Sequence, residues 1–184
     1  MKLSATTFDI HRKIVEESKA GNRLAQYQLY ELYSKAMFNI CYRMMNGREE
    51  AEDALQEAFI TIFGRLDSFR FESTIGAWIK RIVVNHCINK LKKRNVELVF
   101  QEEIRDAEDT SDSGPDEGEL EMNVQKVKTA METLPDGYRV IFSLYLLEGY
   151  DHKEISEILN ISESTSKTQY MRARKKVKEQ LIAN

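Results

Sequence analysis

Apolar residues recur at the 3.6-residue period of an α-helix through almost the whole chain, and little interrupts them. Two prolines and eight glycines in 184 residues leave few places where a helix must stop. No stretch alternates apolar and polar residues between hairpin turns, as a half-buried strand would. The pattern predicts an all-α fold. Helices are expected over about 8–19, 23–45, 49–63 and 74–94, and again over about 120–132, 137–148, 151–159 and 163–182. Gly21, Asn46-Gly47, Gly64, Leu134-Pro135 and Gly149-Tyr150 supply the breaks. Between the two sets lies a stretch with little to bury, ending QEEIRDAEDTSDSGPDEGE. Low hydropathy and charge of one sign do not support a packed core. The expected architecture is therefore two small helical domains, 1–95 and 120–184, joined by a flexible acidic linker, 96–119.

The charge follows the same division. Residues 1–94 hold sixteen Lys/Arg against eleven Asp/Glu, residues 95–119 one against ten, and residues 120–184 ten against nine. The formal net charge of −3 thus averages two basic surfaces and an acidic tether. Near the end, Lys167, Arg172, Arg174, Lys175, Lys176 and Lys178 crowd one predicted helix. Two cationic helices on one chain point to nucleic acid gripped at two places.

Several classes fall away. Met1 to Ile10 lack a continuous apolar run, so no secretory signal is expected, and nothing approaches the ~18 apolar residues of a membrane span. A cytoplasmic protein without direct membrane insertion is expected. Cys41 and Cys87 fall on apolar faces of separate helices with no C-x-x-C spacing, as reduced core thiols do. His11, His86 and His152 form no metal-ligand pattern. No nucleophile constellation or phosphate loop is present, so neither catalysis nor a cofactor or metal is expected.

The last two helices have helix-turn-helix spacing. Asp151 is placed to cap the first, with Glu154 three residues on as an acidic capping box. Asn160 suits the left-handed turn, Ile161 plugs the core and Ser162 caps the second helix. In that helix Tyr170, Ala173, Val177 and Leu181 recur on an inward row. Thr165, Lys167, Thr168, Gln169 and Arg172 are expected on the outward side, whose first turns enter a major groove in this motif. Gln169 and Arg172 suit base edges; Lys167, Lys175 and Lys176 suit phosphates.

The stretch FRFESTIGAWIKRIVVNHCINKLKKR, residues 69–94, is the second signal. Phe69, Phe71 and Trp78 lie among Arg70, Lys80, Arg81, Asn85 and Asn89. Single-stranded DNA is gripped by such rings, cations and amides, with bases stacked on rings at ~1–3 kcal/mol each. Trp78 reads mostly as core; the loop Phe69–Thr74 is the better receiver of an extruded base.

These stretches resemble the extracytoplasmic-function sigma factors, the small two-domain class of the sigma-70 family of bacterial transcription initiation factors. AEDALQEAFITIF (51–63) resembles region 2.2, the helix that docks on the β′ clamp helices of core RNA polymerase. Residues 69–94 resemble regions 2.3 and 2.4, which melt and read the −10 element. LPDGYRVIFSLYLLEGYDHKEISEILNISESTSKTQYMRARKKV (134–177) resembles region 4, which reads the −35 element and meets the β flap. The resemblance implies that Asp53, Gln56 and Glu57 face polymerase. It implies that Phe69, Arg70, Phe71, Glu72 and Ser73, with Lys80, Arg81 and Asn85, face −10 DNA. It implies −35 contacts from Thr165, Lys167, Thr168, Gln169, Arg172, Lys175 and Lys176. Partners would be core RNA polymerase, promoter DNA and an anti-sigma factor. Phe71 stands where many members have Gly, and Gln169 where many have Arg.

Two other readings remain: an autonomous helix-turn-helix regulator that binds duplex DNA without polymerase, and an enzyme. The aromatic and basic loop is redundant in the first, and no site supports the second. The acidic linker is either a solvated spacer, a mimic of RNA along a cationic polymerase channel, or a cover for the basic patches of the free protein.

Overall fold

The computed structural model describes residues 4–93 and 124–183. The acidic linker and Arg94 lie outside the described residues. Every regular element among those described is helical. The chain divides after Lys93 into two compact units.

The first unit holds α1 (Ser4–Lys19), α2 (Arg23–Met45), α3 (Arg48–Arg65) and α4 (Ile75–Lys93). A single 3₁₀ turn, Leu66–Ser68, extends α3. The helix ends follow the sequence's own punctuation. Gly21 takes φ 82, a conformation that favours glycine, and closes α1. The Asn22 side chain accepts from the amides of Leu24 and Ala25, satisfying two of the orphan donors that open α2. Asn46 ends α2 in the left-handed region at φ 58. Thr74 Oγ1 accepts from the Ala77 amide at the head of α4.

Packing is built on α2. Ala51, Ala54 and Ala58 are fully buried and let α3 lie close along α2, while Leu55, Phe59 and Ile62 fill the remaining space. α4 lies against both α2 and α3 and contributes Ile79, Val83, Val84, Ile88 and Leu91. Gly76 permits this: a Cβ there would stand 3.0 Å from the Tyr33 ring. The Tyr33 hydroxyl in turn meets His11 Nδ1 at 3.0 Å and ties α1 to the bundle. Cys41 and Cys87 meet in this core as free thiols 3.7 Å apart. The hydrogen bond to Cys41, together with burial, pushes the Cys87 thiol well up, so it stays protonated and unreactive. On α2, Tyr27 is exposed and Leu29 is buried.

The second unit holds α5 (Val124–Glu132), α6 (Asp136–Phe142), α7 (His152–Leu159) and α8 (Glu163–Ala183). Its core gathers Ala130, Met131, Leu134 and Phe142 around Ala173 and Val177 of α8. The inward row expected for α8 is present: Tyr170 and Leu181 pack on the same cluster. Arg139 is buried; its guanidinium donates to the Leu134 carbonyl and pairs with Asp136, bracing the turn between α5 and α6. The helix expected over 137–148 is interrupted: a wider π turn, Ser143–Leu147, follows α6. The Glu148 amide reaches the Ser143 carbonyl, and Tyr145, Leu146 and Leu147 end up exposed.

Candidate nucleic-acid interface

The helix-turn-helix of the second unit is held by local hydrogen bonds. Asp151 accepts from the Glu154 amide at 2.7 Å, and the Glu154 carboxylate accepts from the Asp151 amide at 2.9 Å, a complete capping box. Asn160 takes φ 58 and turns the chain out of α7. The Thr165 amide donates to Ser162 Oγ at the head of α8. His152 adds a fastening that sequence reasoning missed. Its ring stacks on Tyr145 at 4.4 Å, and its Nδ1 meets the buried Ser166 hydroxyl at 2.9 Å. Tyr170 closes this aromatic group 4.4 Å from Tyr145, and burial raises its phenol pKa.

The outward face of α8 is then fixed. Lys167, Lys175 and Lys176 are exposed, and Thr165, Thr168 and Arg172 are half-buried. The Thr165 hydroxyl is engaged with Ser162 at 2.7 Å. Lys167 pairs with Glu163 at 2.8 Å, and this contact holds the Glu163 carboxyl below its ordinary range. The Lys176 ammonium lies 5.9 Å from the Tyr138 ring centroid. Gln169 departs from expectation: it is 2% exposed and faces inward. At about 100° per residue it lies only about 40° from Ala173, so it belongs to the buried row and not to a base-reading face. Ser164, Met171 and Arg174 are exposed instead. The same angular count in the sequence would have found them.

In the first unit, the solvent face of α4 carries Arg81, Asn85, Asn89 and Lys92 at successive turns, all exposed. Lys80 is half-buried beside them. Lys90, Lys92 and Lys93 crowd the last turn, where cations complement the helix dipole.

The loop ahead of α4 corrects a second expectation. Phe69 is 3% exposed and serves the core. Its ring centroid lies 4.9 Å from Phe71 and 5.4 Å from Trp78, at tilted angles to both, so Phe69 is buried between those two rings and presents no face to a base. Phe71 is half-buried and adopts φ 60, uncommon for a bulky residue. Arg70, Glu72, Ser73 and Thr74 form the exposed edge. Two cations of α1 that sequence reasoning passed over reach this loop. The Lys19 ammonium donates to the Phe69 carbonyl at 2.5 Å, and the Arg12 guanidinium lies 4.9 Å from the Phe71 ring centroid.

On α3, Asp53, Gln56 and Glu57 all face solvent, and Ile60, 73% exposed, continues their line one turn on. An exposed isoleucine in a polar row contributes nothing to the unit's own core. Glu57 is not idle: its carboxylate accepts from Lys90 at 2.8 Å and meets His86 Nε2 at 3.0 Å, bridging α3 to α4. The hydrogen bond from Lys90 leads in holding its carboxyl below the ordinary range. Among the described residues, no group of three or more His, Cys, Asp or Glu is placed to hold a metal ion, and no helix is long and apolar enough to cross a membrane.

Residues 29–96 match the family model of sigma-70 region 2, and residues 124–177 match that of sigma-70 region 4. The chain is 28% identical over 179 residues to the ECF RNA polymerase sigma factor SigW of Bacillus subtilis, covering 92% of this chain and 96% of that one. The chain belongs to the extracytoplasmic-function sigma factors of the sigma-70 family. It is a transcription initiation factor for RNA polymerase and not an enzyme. SigM of the same organism is 27% identical over 152 residues, covering 82% of this chain and 91% of that one. The fold matches the sigma factor RpoE solved with the anti-sigma factor NepR from Bartonella quintana, with a TM-score of 0.56, 23% identity, and coverage of 86% and 97%. It also matches CnrH solved with the cytosolic domain of CnrY, with a TM-score of 0.56, 22% identity, and coverage of 95% and 98%. In the sigma factor, α3 and α4 thus fall within region 2 and α5 to α7 within region 4, which also takes in most of α8.

Proposed function

We propose that residues 1–95 dock on core RNA polymerase and read the −10 element, that 96–119 tether, and that 120–184 read the −35 element. The observation that carries this is one chain bearing region 2 at 29–96 and region 4 at 124–177, each with an exposed polar helix face. On α3, Asp53, Gln56 and Glu57, joined by Ile60, meet the β′ clamp helices. Arg70, Glu72 and Ser73 read the extruded −10 base, and Arg81 and Asn85 follow the −10 strand with Lys80. Thr168 and Arg172 reach −35 bases, and Lys167, Lys175 and Lys176 its phosphates. The exposed Tyr145–Leu147 turn is an apolar surface suited to the β flap. An anti-sigma factor is a further partner, as RpoE was solved with the anti-sigma factor NepR. The work takes place in the cytoplasm.

Run-off transcription with purified core polymerase on genomic fragments tests the reading. The expected result is transcripts from discrete start sites that depend on this protein. A protein that shifts duplex DNA sequence-specifically by itself, yet never directs core polymerase, would be an autonomous regulator, and the proposal would be wrong.

A further inference from the structure

The loop before α4 contains a backbone conformation that its residue does not favour. At φ 60 the Phe71 side chain crowds its own backbone, and nothing local rewards that geometry as glycine's freedom would. Something outside the loop must hold it. Two cations on α1 sit where such a hold is needed. Arg12 and Lys19 are two helical turns apart and therefore share one face of α1. The Arg12 guanidinium lies 4.9 Å and the Lys19 ammonium 5.1 Å from the Phe71 ring centroid. Lys19 also donates to the Phe69 carbonyl at 2.5 Å and lies 5.9 Å from the Phe69 ring. Beneath, Phe69 is wedged against Trp78 of α4. The ring of Phe71 is thus held by cations from α1 on a base of aromatic core.

We propose that Arg12 and Lys19 are positioning residues for −10 recognition: they clamp Phe71 and so set the exposed edge Arg70, Glu72 and Ser73 in the shape that receives the extruded base. Neither cation touches the base. This rests on the reading of that edge given above. It assigns a role to α1, which lies ahead of the matched region 2, and it makes Phe71 a buttress and not a stacking platform.

The test uses the full-length protein with core polymerase on a promoter it directs. Open complexes are followed by permanganate reactivity, and discrimination is read from promoters carrying each base at the extruded position. Lys19→Met and Phe71→Leu should each lower open-complex formation and flatten base discrimination by about three- to tenfold, the range expected for losing such cation–ring contacts. Polymerase affinity and −35 discrimination should be unchanged. Lys19→Arg should restore most of the loss. The double variant should lose less than the sum of the two singles, because the Lys19–Phe71 contact is removed by either change. Wild-type discrimination in Lys19→Met, or losses that add in the double variant, overturn the clamp. Should Lys19→Met unfold the first unit, Phe71→Leu decides alone, because it removes the ring at a half-buried position while keeping an apolar side chain of similar reach. Replacing 69–73 by Gly/Ser separates the two levels. Normal opening with that replacement removes the −10 assignment itself, whereas lost opening beside silent Lys19→Met and Phe71→Leu removes only the clamp.

Discussion

Gln169→Ala and Arg172→Ala, compared side by side, test which face of α8 reads DNA. The two residues are three apart in sequence, but Gln169 is 2% exposed and Arg172 is half-buried at the edge of the outward face. Truncating Gln169 leaves a cavity on the buried side of α8 in the second unit. Burying an amide is itself costly, so the loss should fall below that of an apolar residue of the same size, at about 1–3 kcal/mol. For a unit this small, each kcal/mol moves the melting midpoint by about 4–8 °C. Were Gln169 on the surface, the same change would fall within about 0.5 kcal/mol. The chain's one tryptophan, Trp78, sits in the first unit, so its fluorescence melt is an internal control that must not move, while the far-ultraviolet circular dichroism melt reports the loss. Arg172→Ala should leave both melts alone and reduce discrimination against a mutated −35 base by about 1–3 kcal/mol. Gln169→Ala, measured at a temperature where it stays folded, should keep wild-type discrimination. A Gln169→Ala protein of unchanged stability that relaxes −35 preference would refute the burial argument and put the reading face where the sequence first placed it.

Asp53→Arg combined with Gln56→Ala should abolish co-purification with core polymerase while leaving the Trp78 melt within about 0.5 kcal/mol of wild type, since both side chains face solvent; unchanged co-purification would remove the docking assignment. Glu57→Gln should cost under about 1 kcal/mol at neutral pH, because the bridge to Lys90 and His86 is half exposed. The bridge depresses the folded carboxyl pKa, so its contribution is present above the ordinary carboxylate range of about 4.3 and disappears as pH falls through the folded value. The stability gap between wild type and Glu57→Gln should therefore close in acid, and a gap that persists at pH 2 contradicts it. Asp151→Ala removes the cap of α7 and should cost about 1 kcal/mol, visible as a lower melt of the second unit with the Trp78 signal fixed; an unmoved melt would show the capping box contributes nothing.

What the sequence made legible was whatever depends on local rules. Helix positions, the Asp151–Glu154 box, the left-handed Asn160 and the inward row of α8 all follow from propensity, capping and the 3.6 period, and all appear in the structure. The errors share a cause. Phe69 and Phe71 were read as an outward platform because an aromatic next to an arginine suits a base; which way a loop ring turns is decided by Trp78 and α1, which are remote in sequence. Gln169 was read by its chemistry, although its angle to Ala173 already placed it inside. Glu57 does face solvent as the sequence implies, but its bridge to Lys90 and His86, about thirty residues on, exists only once α4 is folded against α3. The π turn at Ser143–Leu147 leaves no local mark, because an i−5 hydrogen bond and an i−4 one ask the same of the residues in between.

The internal commitments of the basic residues bear on how such a factor avoids stray DNA. Sequence-independent affinity scales with the number of phosphates a protein neutralises. Read from composition, both units are cationic along one helix. In the folded chain Lys90 is held by Glu57, Lys167 by Glu163, and Lys19 by the Phe69 carbonyl and two rings. Each of these contacts must be surrendered or shared before that cation can serve a phosphate, so fewer cations are available to DNA than the Lys and Arg count of each unit suggests. Under the proposed function, recognition draws on joining the two units on one chain, where binding by one raises the local concentration of the other. That arrangement favours DNA carrying both elements at the right spacing over DNA that is merely acidic, and it places selectivity in the pairing of the two units more than in either helix face.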